Sequence, residues 1–206
     1  MKKKIIGIFM VLLFIISIPL ANIVQADDPA PQIIDPKGDA FGYIDIEEIL
    51  FFEKEETPDI LYVSMKISEP SFTTFQQTFA VFWRYNGIQY SCGLHLGFNP
   101  KNWELYTAGK YERGKQNQDQ EHITGDYDFE EGIITWSVAK ERIGNPAKGA
   151  VLDHTWSNAF RRLGIIGRIG FTRVILDKFI LDLFGNNMWD YAPEQGSYGD
   201  NYIIQY

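Results

Sequence analysis

The sequence predicts a mostly β fold, an antiparallel β-sandwich with one helical insert near residues 165–184. Three observations predict it. Leu61, Val63, Met65 and Ile67 alternate with Tyr62, Ser64, Lys66 and Ser68, the period of a strand with one buried face. Asn86-Gly87 separates two runs of β-forming residues and has the composition of a two-residue hairpin turn. Further strand-like runs follow at short intervals with turn residues between them, which suits packed antiparallel sheets better than alternating strands and helices.

Taken in order, Asp27 to Gln32 is a polar lead-in and Ile33-Ile34 starts a short edge strand. Asp35-Pro36-Lys37-Gly38-Asp39 is a pre-shaped loop: Pro36 holds Asp35 extended and Gly38 permits a turn. Ile44 to Phe52 is largely apolar and pairs, across Thr57-Pro58-Asp59, with the alternating run that follows. Residues 69–75 form a loop, and Thr78–Tyr85 and Ile88–Leu96 form the hairpin about Asn86-Gly87. Trp103–Glu112 is the next strand, Gly114–Glu121 a polar loop, and His122–Phe129 with Ile133–Val138 a further hairpin. A helical turn at Lys140–Ile143 and a Pro146/Gly149 loop precede a strand at Val151–Trp156. In the insert, Phe171, Val174, Ile175, Phe179 and Leu183 fall on helical spacing until Gly185-Asn186-Asn187 stops them. Trp189 to Pro193 and then a glycine-containing loop lead to Tyr202–Tyr206, a closing strand.

Lys2, Lys3 and Lys4 precede an apolar run from Ile5 to Leu20, and Val24-Gln25-Ala26 has the small residues of a cleavage site. That is the layout of a signal peptide over residues 1–26, so a secreted or cell-surface location is expected. The alternative is an uncleaved anchor, but at ~1.5 Å per residue the run reaches about 24 Å, short of a ~30 Å hydrocarbon core. Residues 27–206 are then a single domain, and loss of three lysines takes the formal charge from −8 to −11. Such an acidic chain excludes nucleic acid as its expected partner. Cys92 is alone, so no internal disulfide staples the domain.

The motifs Asp35-Pro36-Lys37-Gly38-Asp39 before Asp45-Ile46, Leu61 to Ile67, Ile134-Thr135-Trp136-Ser137-Val138 before Ile143-Gly144, and Trp189-Asp190-Tyr191-Ala192-Pro193 stand in a telling order. That order resembles exported modules of the family nine carbohydrate-binding type and the C-terminal modules of glucodextranase-like enzymes, over most of residues 33–206. The resemblance implies an extracellular β-sandwich of family nine or DOMON-like kind, often calcium-stabilised and sometimes sugar-binding. The insert at 161–184 departs from it, and no matched tryptophan pair of the kind that grips a sugar is found.

Two sites are expected. Calcium takes six to eight oxygen ligands, and Asp35, Asp39 and Asp45 supply carboxylates to which a loop carbonyl and Asp190 can add. The plainer alternative has Asp35 and Asp39 capping turn amides. For a glycan, Trp83, Tyr85, Trp103 and Tyr106 offer aromatic platforms beside Gln89 and His95, against the alternative that these rings fill the core. A metal or haem reading through Cys92, His95 and His122 fares worse, because Cys92 and His95 fall on opposite faces of one strand.

No G-x-S-x-G, H-E-x-x-H or phosphate-binding glycine loop is present. The expected function is therefore a non-catalytic, exported carbohydrate- or cell-surface-binding module, calcium-stabilised. The alternative is an envelope-associated protein that meets a membrane or partner through the apolar, basic segment 161–184, net +3. A haem-binding or electron-transfer domain is a third class.

Overall fold

The computed structural model describes residues 30–40, 42–70, 76–97, 104–111, 120–162, 189–194 and 196–206. The signal segment expected at 1–26, Trp103, most of the loop at 114–121 and the helix expected near 165–184 lie outside the described residues. Twelve strands are described: β1 (Ile33–Ile34), β2 (Ile46–Phe52), β3 (Ile60–Ile67), β4 (Gln76–Tyr85), β5 (Ile88–Leu96), β6 (Glu104–Lys110), β7 (Gln120–His122), β8 (Thr124–Asp128), β9 (Ile133–Ala139), β10 (Val151–Arg162), β11 (Trp189–Ala192) and β12 (Tyr202–Ile203). A 3-10 turn spans Lys140–Ile143.

The strands form two antiparallel sheets, and the fold is a β-sandwich. The first sheet runs β1-β2-β3-β9-β8, and the second β11-β10-β4-β5-β6-β7, with β12 also beside β10. The alternation along β3 comes out as read: Leu61, Val63, Met65 and Ile67 are buried and pair with β2 and β9. Asn86 and Gly87 both take positive φ, 50° and 75°, and close β4 on β5 with Tyr85 opposite Ile88. A primed turn of this hand matches the twist of the flanking strands, which is why asparagine and glycine are needed there.

The core fills the space between the sheets. Phe51 of the first sheet meets Trp83 of the second edge-on, with ring centroids 5.6 Å apart. Ile49, Val63, Met65, Ile134 and Trp136 face Phe79, Val81, Cys92, Leu94 and Ala108 across the same space. At roughly 1.5–3 kcal/mol for each large apolar side chain removed from water, this contact surface is the main force holding the layers together.

Two expectations are corrected. The expected hairpin with Ile133–Val138 forms over Thr124–Asp128, but His122 belongs to a separate strand, because the chain crosses between sheets at Ile123: β7 pairs with β6 and β8 with β9. The strand at Val151 continues to Arg162, so Arg161 and Arg162 belong to β10 instead of the insert. Residues 189–192 form a strand on the edge of the second sheet.

Candidate ligand face and cation site

The residues expected to line a sugar groove are split between the two faces of the second sheet. Successive side chains on a strand alternate in direction, so Trp83 and Tyr85 share a face with Phe79 and Val81. Trp83 is 0% exposed and belongs to the core, Tyr85 packs against the core's edge, and Tyr106, 9% exposed, lies inward with its hydroxyl donating to Glu104 Oε2 at 3.0 Å. These rings stabilise the sandwich and present no common platform. Gln89 and His95 lie on the opposite, outer face, opposite Arg84 and Thr78 of β4, and Thr78 Oγ1 is 3.1 Å from His95 Nδ1.

The outer face has its own aromatic cluster, which parity along β4 places one residue away from the expected one. Phe82 is 5% exposed yet lies outside the core cluster. It stacks on Trp156 at 3.9 Å between centroids and 9° between planes, and takes Tyr111 edge-on at 4.9 Å. A β-bulge in β10 is the cause. Asp153 pairs with Arg84, but after one extra residue Trp156 pairs with Phe82. His154 sits in that bulge at φ +50°. A one-residue insertion flips the side chains that follow it, so Trp156 emerges beside Phe82 when unbroken pairing would have sent it into the core. Across the same face, Phe82 opposes Ser91, while Ala80 lies between Asn158 and Gly93, with Thr107 beyond. Asn158 Oδ1 is sealed from solvent without a hydrogen-bond partner. The face thus combines flat rings, a small-residue floor and amide, hydroxyl and imidazole groups.

The acidic residues converge at one edge of the sandwich. The loop after β1 and the first residues of β11 bring Asp35, Asp39 and Asp190 together, with one carboxylate oxygen from each within 4.8 Å of the others. Backbone contacts aim them. The N–H of Asp35 donates to Glu47 O at 2.9 Å. Asp190 accepts from Ile46 N at 2.6 Å on Oδ2 and from Tyr191 N at 2.8 Å on Oδ1. Asp45 plays a different part from the one expected: both its oxygens accept from Gly38 N, at 2.9 and 3.2 Å, and it shapes the loop without joining the three-acid group. Burial, then the neighbouring charges of Asp190, Asp39 and Asp45, pushes Asp35 up to about 7. Burial also pushes Asp190 up to about 6, against the opposing pull of the Ile46 N–H. Asp39 is raised by burial and by its hydrogen bond to Asp45.

Cys92 is buried in the core, where burial pushes its thiol well above the usual range and leaves no reactive thiolate. It shares no site with His95, which lies on the other face. No protein-family model, no curated protein and no solved structure matches this chain. The resemblance to family nine and glucodextranase-type modules therefore rests on the short motifs quoted above.

Proposed function

We propose that this chain is a non-catalytic carbohydrate-binding module, exported to the cell exterior, that takes its ligand on the outer face of the second sheet. The observation that carries this reading is the Phe82–Trp156 stack, with Tyr111 against it, on a face where Phe160, Leu105 and Tyr191 stand among small and polar side chains. Rings of this kind meet the C–H faces of sugars, while amides and hydroxyls exchange hydrogen bonds with sugar hydroxyls. Trp156 and Tyr111 are both half-buried, so each is held in place and still presents part of its ring. The chain's formal charge of −8 favours a neutral glycan over a polyanionic one.

Affinity electrophoresis and pull-down on a panel of insoluble and soluble polysaccharides test the reading. Binding by the wild type is expected to fall at least about tenfold in Trp156→Ala, the loss of a main aromatic anchor. The variant is expected to remain folded by circular dichroism. Absence of binding across the panel, or undiminished binding by Trp156→Ala, rules the reading out.

A further inference from the structure

We propose that His154, in the bulge of β10, is a proton-operated switch that holds the Arg84 guanidinium when its ring is neutral and releases it when the ring is protonated. It rests on one nitrogen with two incompatible neighbours. His154 Nδ1 lies 2.8 Å from Arg84 Nη2 and 3.0 Å from Asp153 Oδ1. A guanidinium only donates hydrogen bonds, and an ionised carboxylate only accepts them. Arg84 therefore requires a bare Nδ1, whereas Asp153 requires an Nδ1 that carries a proton. No single protonation state serves both.

The bulge brings the three groups together. Adjacent residues of a regular strand point to opposite faces, so Asp153 and His154 would not share one. The register shift between Asp153 and Trp156, with His154 at φ +50°, turns both side chains towards Arg84. Histidine is one of the few residue types enriched in that backbone region. Arg84 from β4, Asp153 from the same strand as His154, and Tyr198 from the loop before β12 face the ring. The Tyr198 ring centroid is 4.5 Å away. The side chains of Arg84, Asp153 and His154 are 38–40% exposed, so solvent protons reach them.

Two states follow from where the proton sits. In the neutral ring it is on Nε2, Nδ1 accepts from Arg84 Nη2, and Arg84 Nε donates to Asp153 Oδ1 at 2.9 Å. In the protonated ring Nδ1–H donates to Asp153 Oδ1 and faces the Arg84 N–H. Two cations then compete for one carboxylate, and they repel each other at this spacing. Asp153 does not take the proton instead, because its hydrogen bond with Arg84, aided by the one with His154, holds its carboxyl below the usual range. Histidine is the side chain whose charge ordinarily changes between about pH 5 and 8, which is the window for the exchange. Arg84 lies opposite Gln89, two residues beyond Phe82, so the exchange moves a guanidinium at the end of the outer face. It operates whether or not that face binds a glycan.

The test is NMR on the purified, isotope-labelled protein, following the ring nitrogens of His154 and the Cζ and Nε signals of Arg84 from about pH 8 to about pH 5. At the alkaline end His154 is expected to carry its proton on Nε2, with Nδ1 bare. The Arg84 signals are expected to move with the same midpoint as the His154 ring. In His154→Asn, a residue type that also tolerates the left-handed backbone, they are expected to stay flat over that range. In His122→Gln, at an exposed position on β7, they are expected to move as in wild type. A neutral His154 with its proton on Nδ1 overturns the proposal. So do Arg84 signals that stay flat in wild type, or that titrate unchanged in His154→Asn. The wild-type measurements decide the matter even if His154→Asn fails to fold.

Discussion

At the scale of single residues, the most informative side chains are the ones whose surroundings contradict their chemistry. Asp35 is an acid in an apolar, anionic position, and its raised pKa makes stability depend on pH in an unusual direction. An acid whose folded pKa lies above its unfolded value of 3.8 binds more protons when folded, so it contributes most stability below that value and loses it as pH rises. For Asp35 the loss runs from about pH 4 through about 7, and for Asp190 from about 4 through about 6. Melting temperatures of the EGTA-treated protein are therefore expected to fall between pH 4.5 and 7.5. Arg84 and Asp153 pull the other way, since their pairing at 2.9 Å lowers the Asp153 pKa, but that pair is well exposed and its effect is small. A flat profile would mean that folding leaves the Asp35 and Asp190 pKa values where they are in the unfolded chain. Trp83 illustrates the converse, a residue whose type suits a ligand platform and whose position forbids it. Trp83→Ala is expected to cost ~3–5 kcal/mol in chemical denaturation, the range for removing a buried tryptophan.

At the scale of elements, what could be read from the chain depended on how each strand earns its burial. β3, β4 and β5 bury aliphatic and aromatic residues at every second position, and their existence and pairing followed from that pattern. β10 did not yield its full length, because its interior positions are Thr155, Ser157 and Ala159, all fully buried. Two of them are kept there by hydrogen bonds from Thr155 Oγ1 to Asp200 O and from Ser157 Oγ to Ala192 O, contacts with distant segments that no local pattern announces. The bulge at His154 is equally silent in sequence, and it decides which face Trp156 occupies. Hence the polar half of the outer face, Gln89 and His95, was legible, while its rings were assigned one residue off. Close packing across elements also singles out Gly125 of β8. A Cβ there would lie 2.1 Å from the Tyr106 ring, so Gly125 is needed for space and not for backbone freedom. Gly125→Ala is expected to destabilise by about 1–3 kcal/mol, the usual cost of overpacking. The double variant Gly125→Ala/Tyr106→Ala is expected to fall short of the sum of the two single losses, and strict additivity in urea denaturation would show that the ring simply moves aside.

At the scale of the whole molecule, the last residues of the chain join the two sheets. β12 pairs with β10 of the second sheet, while Tyr202 stacks on Phe51 of the first at 5.9 Å. The tail also meets the chain's beginning, through Asp200 N donating to Gln32 O at 2.7 Å and Gly199 packed against Ile33. The acids of the entry loop were visible in the sequence as a cluster, but Asp190 reaches them through the pairing of β11 with β10. The tie is fastened by a buried ion pair between Lys140, at the 3-10 turn, and Glu53, just past β2, with side chains 5% and 0% exposed. Lys140 Nζ also donates to Tyr206 O at 2.7 Å, and Glu53 Oε2 accepts from Tyr202 OH at 3.1 Å and from Gln205 N at 2.5 Å. One lysine and one glutamate thus hold both ends of residues 202–206. Removing a single partner strands a charge where water does not reach, which costs more than the pair's own attraction contributes. Lys140→Met is expected to lose ~3–5 kcal/mol in denaturant unfolding. Lys140→Met/Glu53→Gln is expected to regain a large part of that loss, because no stranded carboxylate remains and glutamine still accepts from Tyr202 and Gln205. A single-variant loss under about 1 kcal/mol would match an exposed surface pair, and the tail would then be held by Tyr202 packing alone.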